Sequence, residues 1–168
     1  MQTRRIWVVC CALLMGLPSV TVAQQALFLV RHAELLGQPM AQPKDLPLSD
    51  VGQARAEKLA SLLKDASISA IYTTEYLRTR KTAEPLAQAL KVDITVIPKG
   101  GPESLVDRIR SQNRKDTVLI VGHSDTLPGL LKALGHAAEI KIAPQDFGNL
   151  FVVVPKGDGV PTFLRLRY

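Results

Sequence analysis

Cysteine, tryptophan and acidic charge are scarce in this chain of 168 residues. The two cysteines, Cys10 and Cys11, are adjacent, so no CxxC-type ligand spacing exists and a thiolate metal site is excluded. Aromatic residues make up only 5%, with Trp7 the single tryptophan. No run of basic residues is interleaved with aromatics, as a nucleic-acid surface would require, so a nucleic-acid partner is not expected. Beyond Leu17 no apolar run approaches the roughly 20 residues that span a bilayer. Repeats, low-complexity segments and linkers are missing too. What is present is 46% hydrophobic and 21% charged residues. That suits one compact domain, since single domains commonly run to about 100–200 residues.

Residues 1–23 read as a cleaved secretory signal. Arg4 and Arg5 form a positive start, Ile6 to Leu17 is apolar, and Thr21-Val22-Ala23 places small residues where a signal peptidase cuts. Cleavage would leave Gln24–Tyr168 as a single domain of 145 residues, without cysteine or tryptophan and with a net charge of +4. This predicts an exported protein, periplasmic or secreted, that is not inserted in a membrane and is held together by packing rather than disulfides. Such a mild positive balance favours small anionic partners.

Hydrophobic patterning gives alternating strands and helices. Ala26 to Val30 and Thr117 to Val121 are continuous apolar runs, suited to strands buried on both faces. Ile68 to Tyr72 and Asp93 to Pro98 are shorter strands. Ser49 or Asp50 can cap a helix whose Val51, Ala54, Leu59, Leu62 and Leu63 share one face. Tyr76 to Leu90 is a second helix, in which Pro85 predicts a kink or restart. Glu103 to Ser111 and Thr126 to Leu134 are further helices, the last stopped by Gly135. Leu150 to Val154 and Thr162 to Arg167 flank a Gly-Asp-Gly turn and predict a terminal hairpin. The pattern is that of a three-layer α/β domain, mostly parallel, with one antiparallel strand.

In such sheets ligands bind outside the carboxyl ends of the strands. His32 follows the first apolar strand in Leu29-Val30-Arg31-His32-Ala33-Glu34, and His123 follows the later one in Ile120-Val121-Gly122-His123-Ser124. Two central parallel strands would bring both imidazoles to one edge. Arg31 adds a guanidinium beside the first, and Arg78 can add another. Two histidines and two arginines suit a tetrahedral oxyanion, because arginine pairs with phosphate bidentately and a neutral imidazole can attack phosphorus.

Leu27 to Glu34 resembles the Arg-His-Gly/Ala signature of the histidine phosphatase superfamily, with its phosphoglycerate-mutase-like fold. Leu46 to Ala54, Ile71 to Ala83 and Val118 to Ser124 resemble three more of its motifs, in the same order. The resemblance implies a metal-independent phosphatase without cofactor, acting on a small phosphorylated substrate through a phosphohistidine on His32. Arg31, Arg78 and His123 would hold the phosphoryl oxygens. Arg78 matches the motif better than Arg80, lying four residues before Thr82. The proton donor to the leaving oxygen is open: Asp125 ranks first, then Glu103 and Glu34, or none. A non-catalytic phosphate-binding module and a phosphohistidine-protein phosphatase are the alternatives.

Overall fold

The structure, a computed structural model, describes residues 26–37, 46–156 and 159–168. The signal reading of residues 1–23 lies outside these. In chain order the elements are β1 (Leu27–Arg31), α1 (Asp50–Leu63), β2 (Ile68–Thr74), α2 (Leu77–Leu90) and β3 (Ile94–Ile97). There follow α3 (Pro102–Gln112), β4 (Thr117–Gly122), α4 (Leu127–Ala133), β5 (Asn149–Val154) and β6 (Thr162–Arg167). One six-stranded sheet has the order β3-β2-β4-β1-β5-β6. The pairs β1–β4, β2–β4 and β2–β3 are parallel, while β5 runs antiparallel to both β1 and β6. β5 is thus the one antiparallel strand, and β5–β6 is the expected hairpin.

The alternation of side chains along each strand explains the three layers. Leu27 and Leu29 of β1, with Val118 and Ile120 of β4, face α3 and α4, where they meet Leu105, Ile109, Leu127 and Leu131. Val30, Leu119 and Val121 face the opposite side and meet Leu59 and Leu63 of α1 and Ala83 and Leu86 of α2. Both faces of β1 and β4 are therefore buried, which is why their sequences are unbroken apolar runs. Each fully buried Leu, Ile or Val contributes about 1.5–3 kcal/mol.

One helix expectation needs correction, and of the kink or restart expected at Pro85 the restart does not occur. Ser49 caps α1, its hydroxyl accepting from the Gly52 N–H, but the buried face is Gly52, Ala56, Leu59, Ala60 and Leu63. Val51 and Leu62 are exposed, and so is Ala54. The cause is close approach: a Cβ on Gly52 would stand 2.1 Å from the Glu34 carbonyl oxygen, so small residues form the contact face. α2 also runs on through Pro85 without restarting. Gly135, at φ +101°, ends the last helix as expected.

Candidate active site

Two strand ends build the site. Parallel register aligns Val30 with Val121 and Arg31 with Gly122, and the ladder runs one step further as the His32 N–H donates to the Gly122 carbonyl at 2.9 Å. His32 and His123 are the next residues out on neighbouring strands. Their ring centroids stand 5.3 Å apart, edge to face, and both side chains are buried.

The hydrogen bonds fix the protons. His32 Nδ1 lies 2.9 Å from the Ala33 carbonyl oxygen, an atom that can only accept, so Nδ1 carries the hydrogen and Nε2 keeps its lone pair. Burial, and then the Arg78 and Arg31 guanidiniums, push the ring's pKa down to about 4 against the pull of that carbonyl. The ring is neutral near pH 7. His123 Nδ1 faces Arg78 Nη2 at 3.4 Å, and its Nε2 lies 2.9 Å from Thr74 Oγ1. A guanidinium only donates, so Nδ1 accepts and Nε2–H donates to Thr74. Thr74 Oγ1 is in turn 2.9 Å from Thr79 Oγ1, which donates to the Tyr76 carbonyl at 2.8 Å. Burial foremost, then His32, Arg78 and Lys99, depress the His123 pKa to about 3.

The arginines are held from outside the parallel strands. Arg31 Nη1 donates to the carbonyls of Pro144 at 2.8 Å and Ala143 at 3.2 Å. Its guanidinium carbon sits 4.0 Å from the centre of the Phe147 ring, and that ring meets His32 edge-on at 6.0 Å. The Arg31 Nε–H is buried without a partner, a donor left for an anion. Arg78, in the first turn of α2, stacks 4.1 Å over Tyr76. Thr82 ties this turn to the first histidine's loop: the Ala33 N–H donates to Thr82 Oγ1 at 2.9 Å, and that hydroxyl donates to the Arg78 carbonyl at 2.7 Å.

Arg31, His32, Arg78 and His123 are thus brought together, whereas Arg80 is exposed. The three carboxylates are placed otherwise. Glu34 is clasped by Arg55, whose Nε reaches Oε1 and Oε2 at 2.9 and 2.8 Å and whose Nη2 reaches Oε1 at 2.6 Å; Arg55 Nη1 also donates to the Tyr168 backbone oxygen. Asp125 is 61% exposed and paired with Lys99 Nζ at 2.6 Å. Although partial burial works the other way, these partners hold both carboxyls below the usual range. Glu103 lies in the first turn of α3, on a surface hollow with Asp107 and Lys132. His136 packs edge-on against Phe163 at 4.7 Å, away from this site.

Sequence reasoning missed Thr74, Thr79, Tyr76 and Phe147. Thr74 closes β2 and Thr79 stands in the first turn of α2, both as buried polar residues. Among the described residues there is no group of three or more His, Cys, Asp or Glu side chains that could hold a metal ion, and no helix is long and apolar enough to cross a membrane.

Residues 27–99 match the family model of the histidine phosphatase superfamily (branch 1). Over 75 residues the chain is 33% identical to the "Probable phosphoglycerate mutase GpmB" of Proteus mirabilis and 35% to that of Escherichia fergusonii. The stretch covers 43% of this chain but only 35% of either relative, so the match spans about a third of their length. Among solved structures, the protein histidine phosphatase SixA complexed with tungstate is 19% identical, with a TM-score of 0.68 over 85% of this chain and 97% of that one. A phosphoserine phosphatase of Entamoeba histolytica, in complex with 3-phosphoglyceric acid, is 16% identical, with a TM-score of 0.66 over 86% and 97%. These two likenesses establish a fold shared with both proteins.

Proposed function

We propose that this chain, with its histidine phosphatase superfamily segment, is a phosphatase that hydrolyses small phosphomonoesters through a phosphohistidine on His32. The observation that carries the reading is the Ala33 carbonyl on Nδ1 of a neutral, buried ring, which leaves the Nε2 lone pair beside two guanidiniums. Arg31, through its unpartnered Nε–H, and Arg78 bind the phosphoryl oxygens and stabilise charge in transit. His123 positions Arg78 by accepting from it and lends a neutral ring to the wall.

The chemistry balances in two steps. His32 Nε2 attacks phosphorus; a P–N bond forms as the ester P–O bond breaks, and the leaving oxygen departs with the electron pair. Water then attacks the phosphohistidine, the P–N bond breaks, and inorganic phosphate leaves as Nε2 regains its lone pair. Glu34 and Asp125 are both held ionised, which makes them poor proton donors. The enzyme therefore favours phosphate esters of acidic alcohols, such as phenols, whose anions leave without a proton and take one up from water. Phosphate release from an aryl phosphate by the wild type and by His32→Ala, with EDTA present, tests the reading. It requires turnover that EDTA leaves intact and the substitution removes.

Export to the periplasm or beyond is part of the same proposal, supported by the pattern of residues 1–23. The mass of the protein recovered from expressing cells tests it: a chain beginning at Gln24 supports export, and one retaining Trp7 contradicts it.

A further inference from the structure

From His123 the hydrogen bonds run in a circuit that returns to the turn carrying Arg78. His123 Nε2 lies 2.9 Å from Thr74 Oγ1, which lies 2.9 Å from Thr79 Oγ1. Thr79 Oγ1 in turn reaches the Tyr76 carbonyl at 2.8 Å and the Thr74 carbonyl at 3.1 Å. The Tyr76 ring closes the circuit, stacked on Arg78 at 4.1 Å and edge-on to His123 at 5.4 Å. Thr74, Thr79 and His123 are all buried, so these groups satisfy one another rather than bonding to solvent.

Each threonine hydroxyl has one hydrogen to give, and the far end of the chain decides where each goes. A carbonyl oxygen can only accept, so the Thr79 hydrogen is spent on the backbone. Towards Thr74, Thr79 Oγ1 then accepts, and the Thr74 hydrogen is spent there. Towards His123, Thr74 Oγ1 has only lone pairs left, so Nε2 must carry the ring's hydrogen. This is the tautomer that the Arg78 guanidinium requires, reached from the opposite side of the ring. Were the hydrogen on Nδ1 instead, two donors would face each other at 3.4 Å and Arg78 would lose its acceptor.

We propose that Thr74 and Thr79 are positioning residues, whose hydroxyls fix His123 as its Nε2–H tautomer and so keep Nδ1 as the acceptor that holds Arg78 for the phosphoryl group. The inference rests on the phosphatase reading above and adds what sets the second histidine. It also takes His123 out of proton transfer, because the ring's one hydrogen is committed to Thr74.

Three substitutions separate a tautomer clamp from packing alone. Thr74→Val keeps the shape and removes the hydroxyl, Thr74→Ser keeps the hydroxyl, and Thr79→Val releases the Thr74 hydrogen to turn towards Nε2. Long-range proton–nitrogen NMR of the folded proteins reads which nitrogen of His123 carries the hydrogen. Wild type and Thr74→Ser should show Nε2–H, whereas Thr79→Val should shift the ring to Nδ1–H. KM for phenyl phosphate should rise about tenfold in both valine variants, as one hydrogen bond to a charged group is lost, and stay within about twofold in Thr74→Ser. Nδ1–H in the wild type, Nε2–H retained in Thr79→Val, or a KM that Thr74→Val leaves unaltered or Thr74→Ser does not restore, would each overturn the proposal. Thr74→Ala and Thr79→Ala carry the same tests should a valine variant fail to fold. The phosphatase reading fails separately, if phenyl phosphate is not turned over or if turnover survives His32→Ala. The tautomer is read without turnover, and titration with inorganic phosphate then replaces KM, with the same pattern of weakening expected.

Discussion

The edge formed by β1, β4 and the start of α2 and the segment from Ala143 to Phe147 make the site together, by opposite means. The first supplies the chemistry-bearing side chains, and parallel register alone sets His32 beside His123. The second supplies no reactive side chain: its carboxylate, Asp146, pairs with Arg165 and acts on Arg31 only through its charge. The segment holds Arg31 with two backbone carbonyls and one aromatic face. The two histidines stand at the ends of core strands, whereas the aim of Arg31 comes from a connection outside them.

The largest break in that comparison is on the strand side. His32→Ala should lower phosphate release by about a thousandfold or more, since no other group replaces a covalent nucleophile. Steady-state kinetics read this directly.

Next is the cost of burying two neutral rings. With folded values near 4 and 3 against an ordinary 6.5, the unfolded chain binds more protons than the folded one below pH 6.5. Stability is therefore full above that value and falls as the pH drops towards the folded values, by up to about 1.4 kcal/mol per pH unit for each ring. Urea unfolding at pH 7 and pH 5 should show this slope, and His32→Ala should show a shallower one. A wild-type slope no steeper than that of His32→Ala would mean that the His32 ring is not held neutral.

Gly52→Ala comes third. Its methyl group cannot share space with the Glu34 carbonyl, so α1 must shift from the loop that follows His32. A loss of about 2–3 kcal/mol in urea unfolding is expected.

Phe147→Ala probes the other region. Losing the ring under Arg31 should raise KM by about tenfold or less, within the range of a desolvated cation–π contact, with kcat less affected. If KM is unaltered, the carbonyls of Ala143 and Pro144 suffice to aim Arg31. The smallest effect belongs to Asp125→Asn, which should alter kcat for an aryl phosphate by less than about threefold. A large fall would return Asp125 to the role of proton donor.

The two regions also differ in how far the sequence reveals them. β1 and β4 are legible because burial on both faces demands unbroken apolar runs, and the histidines stand at their ends. Arg78 is legible through its spacing from Thr82. The buried face of α1 is not, because close packing selects Gly52, Ala56 and Ala60 over the larger Val51 and Leu62. The segment holding Arg31 is illegible for another reason: backbone carbonyls act there, and every residue has one. Glu34 and Asp125 look like acids from their nearness to the histidines. Only the fold brings Arg55 and Lys99 onto them.

The central claim is that the Ala33 carbonyl leaves Nε2 of His32 as the attacking atom. It is tested most directly by quenching turnover and finding the phosphorylated nitrogen by 31P NMR and peptide mass spectrometry. The account predicts a phosphoryl group on Nε2 of His32. Phosphate on Nδ1 or on His123, or turnover with no phosphoenzyme at all, would contradict it.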